Sequence, residues 1–373
     1  MPESYYQKYR PIQLTDVVGQ DAIVSAITKA AEKEIFNHAY LFAGSFGSGK
    51  TTMARILATL LTCIAKKPHT AKVCGKCRSC VGIHHGFCSD VMELDGASNR
   101  GIDDIRDLKK TAHYAPQELP RKVYIIDECH KLTPDACSSM LKIVEEPPPY
   151  VVFILCTTDA RKILPTITSR CQRYNFTKIA TPAMAERIAK VAAREEVEID
   201  VEAARMICRM SHGSLRDALS FLEQIAMAND KKVTTVAASG YFGSPEQRIT
   251  HEIVNLIADK NESGLLYKVN EISAAGVDSK TILVEVSKAL RDILLVRSCG
   301  PDTNLVDLDV DERKAVAALS EKLTTRSIVR MTNVFSKIDK EIAVNINERL
   351  ILEAALINCI FIANDETKTS GQT

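Results

Sequence analysis

At 373 residues the chain has room for two or three domains of roughly 100–200 residues each. Its composition, 46% hydrophobic and 25% charged, fits folded cores and excludes collagen-like structure, coiled coil and wholesale disorder. The 48 Lys and Arg nearly balance 47 Asp and Glu for a net charge of +1, so bulk charge predicts no nucleic-acid or membrane partner, and any such contact needs a local patch. No run of about 18 apolar residues is present, which excludes a membrane-spanning helix. The opening stretch MPESYYQKYRP lacks the apolar segment of a signal peptide, so a cytoplasmic protein is expected.

The first half alternates short apolar runs with amphipathic segments. Strands are predicted at Ala39–Ala43, Val91–Leu94, Val123–Ile126, Val151–Cys156 and Arg173–Phe176. They are rich in β-branched and aromatic residues and separated by helix-like stretches, which predicts an α/β domain with a parallel five-stranded sheet covered on both faces. After about Ile179 strand signals largely stop. Pro182 opens a helical pattern that runs to about Phe242, and Gly243-Ser244-Pro245 punctuates the chain again. Beyond it, Ile249, Ile253, Leu256 and Ile257, then Ile282, Val286, Leu290 and Leu294, recur at helical spacing. Three domains follow from this reading: 1–179, 180–242 (small and helical) and 243–363 (all-α), with a polar, disordered tail at 364–373.

The segment Gly44-Ser-Phe-Gly-Ser-Gly-Lys-Thr51 matches G-x-x-x-x-G-K-[ST] between a predicted strand and a predicted helix, the context that gives the motif physical content. Gly44, Gly47 and Gly49 let backbone N–H groups cradle phosphates at a helix N-terminus. Lys50 supplies a point charge to the β- and γ-phosphates, and the Thr51 hydroxyl is a Mg²⁺ ligand. Ser48 and Thr52, within and just after the loop, belong to the same nucleotide-binding set. At the end of the third predicted strand stand Asp127, placed to hold the Mg²⁺ shell, and Glu128, placed to polarise the attacking water. The fourth strand ends in Thr157-Thr158-Asp159, which brings a hydroxyl near the γ-phosphate. Arg170 sits in a Ser-Arg-Cys turn just before the fifth strand.

Twelve cysteines in a chain without an export signal point to metal or ordinary burial. Cys63, Cys74, Cys77 and Cys80 form a C-x10-C-x2-C-x2-C cluster, the donor set of a structural Zn²⁺ site, with an iron–sulfur cluster and unliganded thiols as the alternatives. The remaining eight, Cys88, Cys129, Cys137, Cys156, Cys171, Cys208, Cys299 and Cys359, read as small buried hydrophobes.

Together, KYRP at Lys8–Pro11, VVGQ at Val17–Gln20, the GSGKTT loop, the four-cysteine insertion, ELDGASN at Glu93–Asn99, DECH at Asp127–His130, LKIVEEPP at Leu141–Pro148 and GSLRDALSFLEQ at Gly213–Gln224 resemble the gamma/tau subunits of bacterial DNA polymerase III, sliding-clamp-loader ATPases of the AAA+ class. The resemblance covers most of residues 3–242. It implies an AAA+ domain with a zinc module at 63–80, a helical lid and an all-α oligomerisation collar. It implies that Tyr9, Arg10 and Pro11 lie against adenine and ribose, that Val17 and Val18 wall the base, and that Thr158 senses the γ-phosphate. Arg216 then contacts the nucleotide in cis, and Arg170 reaches the ATP of a neighbouring subunit in trans. The implied partners are delta- and delta-prime-like subunits in a pentameric ring, a sliding clamp and primer–template DNA. Arg100, Arg106 and Lys142 are the candidate contacts to DNA phosphates. Tau-type relatives continue beyond this length, so the extension that binds polymerase and helicase is not expected here.

Two other classes fit the sequence less well. A helicase, from the DExH-like Asp-Glu-Cys-His, needs a second RecA-like lobe that the helical residues 180–373 do not offer; a AAA+ branch-migration motor is not expected to carry the cysteine insertion. A structural ring subunit with an unused nucleotide site is disfavoured by intact Lys50, Thr51, Asp127 and Glu128.

Overall fold

A computed structural model of the chain describes residues 3–369 except 243–244, 275, 302, 304, 307, 309 and 343–346. It divides into two compact units, Met1–Ser239 and Gly240–Thr373. The first opens with α1 (Tyr5–Lys8) and α2 (Asp21–Lys33), then β1 (Ala39–Gly44), α3 (Lys50–Thr62), α4 (Arg78–His85), β2 (Val91–Asp95), α5 (Ile102–Ala112) and β3 (Lys122–Asp127). It continues with α6 (Pro134–Glu145), β4 (Val151–Thr157), α7 (Pro165–Thr168) and β5 (Gln172–Phe176). The five strands are parallel in the order β2-β3-β4-β1-β5.

Alternation along the strands explains why they read as unbroken apolar runs. Tyr40, Phe42, Val123, Ile125, Val152 and Ile154 pack on one face with Ile27 of α2 and Met53, Leu57 and Leu60 of α3. Leu41, Tyr124, Ile126, Phe153 and Leu155 pack on the other with Ile105 and Leu108 of α5 and Met140 and Ile143 of α6. A sheet buried on both sides leaves no polar face to show. The order sets β1, β4 and β3 side by side, so the loops leaving their C-terminal ends converge where open α/β sheets take ligands.

The lid follows as α8 (Thr181–Arg194), α9 (Val201–Met210) and α10 (Leu215–Ala228), packed through Met184, Ile188, Val191, Ile207, Leu222 and Ile225. Proline stands in the first turn of α8, as the sequence predicts. Two short strands, β6 (Glu198–Ile199) and β7 (Lys232–Val233), pair in parallel within it. At two residues each they are too short to display a period, hence their absence from the sequence reading. The division between the units falls within α11 (Thr235–Phe242).

The second unit is helical: α12 (Pro245–Ala258), α13 (Glu262–Ala274), α14 (Ser279–Cys299), α15 (Val310–Lys322), α16 (Thr325–Ile342) and α17 (Glu348–Thr369). Ile253, Ile257, Ile282, Val286 and Leu290 are buried in its core, with Leu294 packed at the edge. Two expectations are corrected. The polar tail is helical as far as Thr369, because α17 continues past its apolar residues into helix-compatible Asp, Glu and Lys; residues 370–373 lie outside the described residues. Among the scattered cysteines, Cys299 is exposed at the end of α14, and Cys88 and Cys171 are only half-buried. Among the described residues, no helix is long and apolar enough to cross a membrane.

Candidate functional site

The loop after β1 turns back on itself before α3. Gly47 (φ 67°) and Gly49 (φ 97°) are both left-handed, and a Cβ on Gly47 would lie 1.8 Å from Ser214 Oγ, so the loop runs hard against the start of α10. Gly44 is glycine for a different reason: its Cβ would meet the Phe176 carbonyl of β5 at 2.5 Å. Lys50 is buried at the first turn of α3, and its Nζ donates to the carbonyls of Gly44 (3.0 Å) and Ser45 (2.8 Å). Burial pushes this ammonium below its ordinary value, against the raising influence of Glu128 and Asp127.

Thr51 Oγ1 donates to Asp127 Oδ2 at 2.7 Å. The two hard oxygens so paired, one at a helix N-terminus and one at a strand end, fit the donor set Mg²⁺ takes alongside phosphate oxygens. Glu128 follows in the left-handed region (φ 46°), and its N–H donates to Asp127 Oδ1 at 2.9 Å. Its Oε2 accepts the Thr158 hydroxyl at 3.0 Å and lies 3.3 Å from His130 Nδ1.

One cleft is lined by Tyr9, Arg10, Pro11, Val17 and Val18, the loop residues Gly47–Thr52, Asp127, Glu128 and Arg216. Gly44 and Thr158 do not line it: Gly44 ends β1, and Thr158 reaches the cleft only through its hydrogen bond to Glu128. The sequence reading missed Tyr6, Phe46, Ile179, Leu215 and Leu219, which line it too. Leu215 and Leu219 flank Arg216 at helical spacing and were within reach of that reading. Tyr6 and Phe46 were not, because their role depends on packing across the chain: the Arg216 guanidinium lies 4.8 Å from the Tyr6 ring centre and 5.3 Å from that of Phe46.

The N-terminal wall of the cleft is tied to the lid. Glu195 at the end of α8 accepts Lys8 Nζ and Tyr9 OH, each at 2.6 Å. Arg187 donates to the Tyr9 carbonyl at 2.8 Å, and the Tyr5 N–H donates to Glu223 of α10 at 3.0 Å. The hydrogen bonds from Lys8 and then Tyr9 hold the Glu195 carboxyl below the usual carboxylate range. Buried Gln20 joins the nucleotide loop to the sheet: its amide donates to the carbonyls of Ser48 (3.3 Å) and Thr177 (2.8 Å).

Arg170 does not line this cleft. It is 39% exposed, pairs with Glu145 at 2.5 Å and donates to the Thr166 carbonyl at 2.7 Å. Arg100, Arg106 and Lys142 are exposed on or beside α5 and α6, which pack together; the Arg100 carbonyl accepts the N–H of Thr133, the α6 N-cap. Acids are interleaved there, with Arg106 on Asp103 and Lys110 on Asp107.

The four cysteines meet at the end of α3 and the start of α4, with Cys63 closing one helix and Cys77 opening the other. Their Sγ atoms are 3.5–3.8 Å apart for the pairs 63–74, 63–77, 63–80, 74–80 and 77–80. Sulfurs about 2.3 Å from a tetrahedral Zn²⁺ lie about 3.8 Å from one another, so the residues fit the ion. Backbone N–H groups of Lys76 and Cys77 lower the Cys74 thiol to about 6, whereas burial raises the thiols of Cys63 and Cys80.

Three family models tile the chain: "DNA polymerase III, delta subunit" over residues 19–180, "DNA polymerase III clamp loader subunit, ATPase lid domain" over 183–230, and "DNA polymerase III subunits gamma and tau domain III" over 233–370. DNA polymerase III subunit tau of Bacillus subtilis is 34% identical over 356 residues, 95% of this chain and 62% of that protein. The chain belongs to the gamma/tau family of DNA polymerase III clamp-loader subunits. The Escherichia coli tau subunit is 34% identical over 82% of this chain and 48% of its own length, so the chain spans about half to three-fifths of these relatives. A solved RuvB from Thermotoga maritima superposes with a TM-score of 0.48 at 18% identity, over 74% of this chain and 88% of that one. The architecture is that of the AAA+ class: a P-loop α/β domain with a parallel five-stranded sheet, a helical lid and a helical C-terminal unit.

Proposed function

We propose that the chain is the ATP-hydrolysing motor subunit of a sliding-clamp loader, with residues 1–179 as ATPase domain, 180–242 as lid and 243–363 as collar. The observation that carries the reading is the convergence on one cleft of Lys50, the Thr51–Asp127 pair, Glu128 and lid-borne Arg216. Lys50 neutralises the β- and γ-phosphates, while Thr51 and Asp127 would hold Mg²⁺, which when bound would supply charge neutralisation at the phosphates. Glu128 orients the attacking water and accepts its proton, with Thr158 reporting the γ-phosphate through its bond to Glu128. Tyr9–Pro11, Val17 and Val18 take the base and ribose. Arg216 links nucleotide to lid, so binding shifts the lid population.

Arg170, outside its own chain's cleft, acts on the ATP of the adjacent subunit, which makes turnover depend on correct assembly. In this reading the chain works in the cytoplasm in a five-membered ring with delta- and delta-prime-like subunits. ATP binding opens the clamp and grips primer–template DNA, and Arg100, Arg106 and Lys142 touch DNA phosphates without reading bases. The zinc module staples the loop between α3 and β2 and takes no part in the chemistry.

The test is DNA-stimulated ATP turnover and clamp loading by the chain with its cognate partner subunits and clamp. Lys50→Ala should abolish both. Turnover that survives this change, or strand displacement with no clamp present, refutes the proposal.

A further inference from the structure

Beyond Glu128 the chain makes a single tight turn, Cys129–Lys131, and His130 is its middle residue. The imidazole is 10% exposed, and its Nδ1 lies 3.1 Å from Thr157 Oγ1 and 3.3 Å from Glu128 Oε2. A lone pair on Nδ1 would face a carboxylate oxygen at that distance and be repelled, whereas a proton there is attracted to both oxygens. With hydrogen on Nδ1 the ring attracts the carboxylate, whereas with hydrogen on Nε2 the Thr157 hydroxyl donates to Nδ1; positioning of the carboxylate requires the first tautomer. Thr157 Oγ1 also accepts the Asp159 N–H at 3.0 Å, which fixes it from the strand side.

The Thr158 hydroxyl donates to Oε2, and His130 Nδ1 stands 3.3 Å from the same oxygen while its hydrogen bond is with Thr157. Among the described residues, Oε1 of Glu128 has no hydrogen-bond partner. The Glu128 backbone sits at φ 46°, an uncommon conformation for a residue with a side chain.

We infer that His130 is a positioning residue: with Thr158 it holds Oε2, so that Oε1 is the oxygen turned toward the attacking water. The inference rests on the reading of Glu128 as general base. In that step a water O–H bond breaks and its proton passes to Oε1. The water oxygen bonds to the γ-phosphorus as the bond to the β-phosphate bridging oxygen breaks, releasing ADP.

The experiment compares His130→Ala, His130→Asn and His130→Gln in the full chain assembled with its clamp-loader partners, measuring kcat, KM for ATP and binding of a fluorescent ATP analogue. Asn carries its amide nitrogen where Nδ1 stands; Gln carries it where Nε2 stands. The expected result for His130→Ala is a fall in kcat of about tenfold or more, with KM and analogue affinity within about twofold. His130→Asn should recover most of the loss and His130→Gln should not. Wild-type kcat in His130→Ala overturns the inference, as does equal turnover in the Asn and Gln variants, a comparison that stands even if the Ala variant fails to fold. Glu128→Gln separates the two claims: if it keeps full turnover the general-base reading falls, and if it loses turnover while His130→Ala does not, only the inference about His130 falls.

Discussion

Gly96 offers a sharp test of how closely the end of β3, where the proposed catalytic residues stand, is packed. It follows β2, is buried, and donates its N–H to the Asp127 carbonyl at 2.8 Å. A Cβ placed there would stand 2.8 Å from the Glu128 carbonyl oxygen and 3.0 Å from that of Asp127. Ordinary contact begins near 3.4 Å, so Gly96→Ala demands a shift of about 0.6 Å in the first and about 0.4 Å in the second. Both obstacles are backbone, and no side chain can swing aside to absorb the displacement. Overpacking of this kind costs about 1–3 kcal/mol, partly offset by the lower entropy of the unfolded Ala chain. The effect on chemistry should exceed the effect on stability: the displaced peptide carries Asp127 and Glu128, and an error of about 1 Å in a reacting group can cost about a hundredfold in rate. DNA-stimulated turnover should therefore fall about tenfold or more while the melting temperature drops by only a few degrees. Gly240→Ala, where nothing lies within 4 Å of the added carbon, is the matched control. Wild-type kcat in Gly96→Ala would refute the claim that this loop braces the catalytic peptide.

Arg170→Ala should leave ATP binding by the isolated chain within about twofold and lower turnover of the assembled ring by about 10³ or more; loss of binding in the isolated chain would argue against action in trans. A strong zinc chelator, or Cys77→Ser, should lower the melting temperature of the first unit by about 6–12 °C if about 3 kcal/mol is lost, and metal analysis of the purified protein should find one zinc per chain. For Glu195, Lys8 and Tyr9 depress the folded-state value below the unfolded one, so its stabilising link is fully present above the ordinary glutamate range and is lost as pH falls through the depressed value. Resistance of the first unit to urea should accordingly hold from pH 7 down to the ordinary glutamate range and weaken below it. Glu195→Gln should lack that component of the decline, and identical profiles would dismiss the link.

The sheet was legible because its three central strands are apolar on both sides and bounded by helix signals; Val123–Ile126 and Val151–Cys156 admit few other readings. The phosphate loop was legible because its chemistry is encoded in consecutive residues. Contacts between residues distant in sequence were not. Nothing local to Arg170 foretells its pairing with Glu145, nor does anything local to Tyr6 foretell Arg216 against its ring. The Glu128–His130–Thr157 contact stayed hidden for the same reason: DECH shows the residues, but only the pairing of β3 with β4 brings them to Thr157. The two-residue strands of the lid and the polar end of α17 went unread because neither carries an apolar pattern.

Tyr9 is moored at both its hydroxyl and its carbonyl to α8, whereas the phosphate loop is anchored through Gln20 to the sheet. Because the same loop also runs against the start of α10 at Gly47, in the proposed reading a shift of the lid should reach both the base end and the phosphate end of a bound nucleotide.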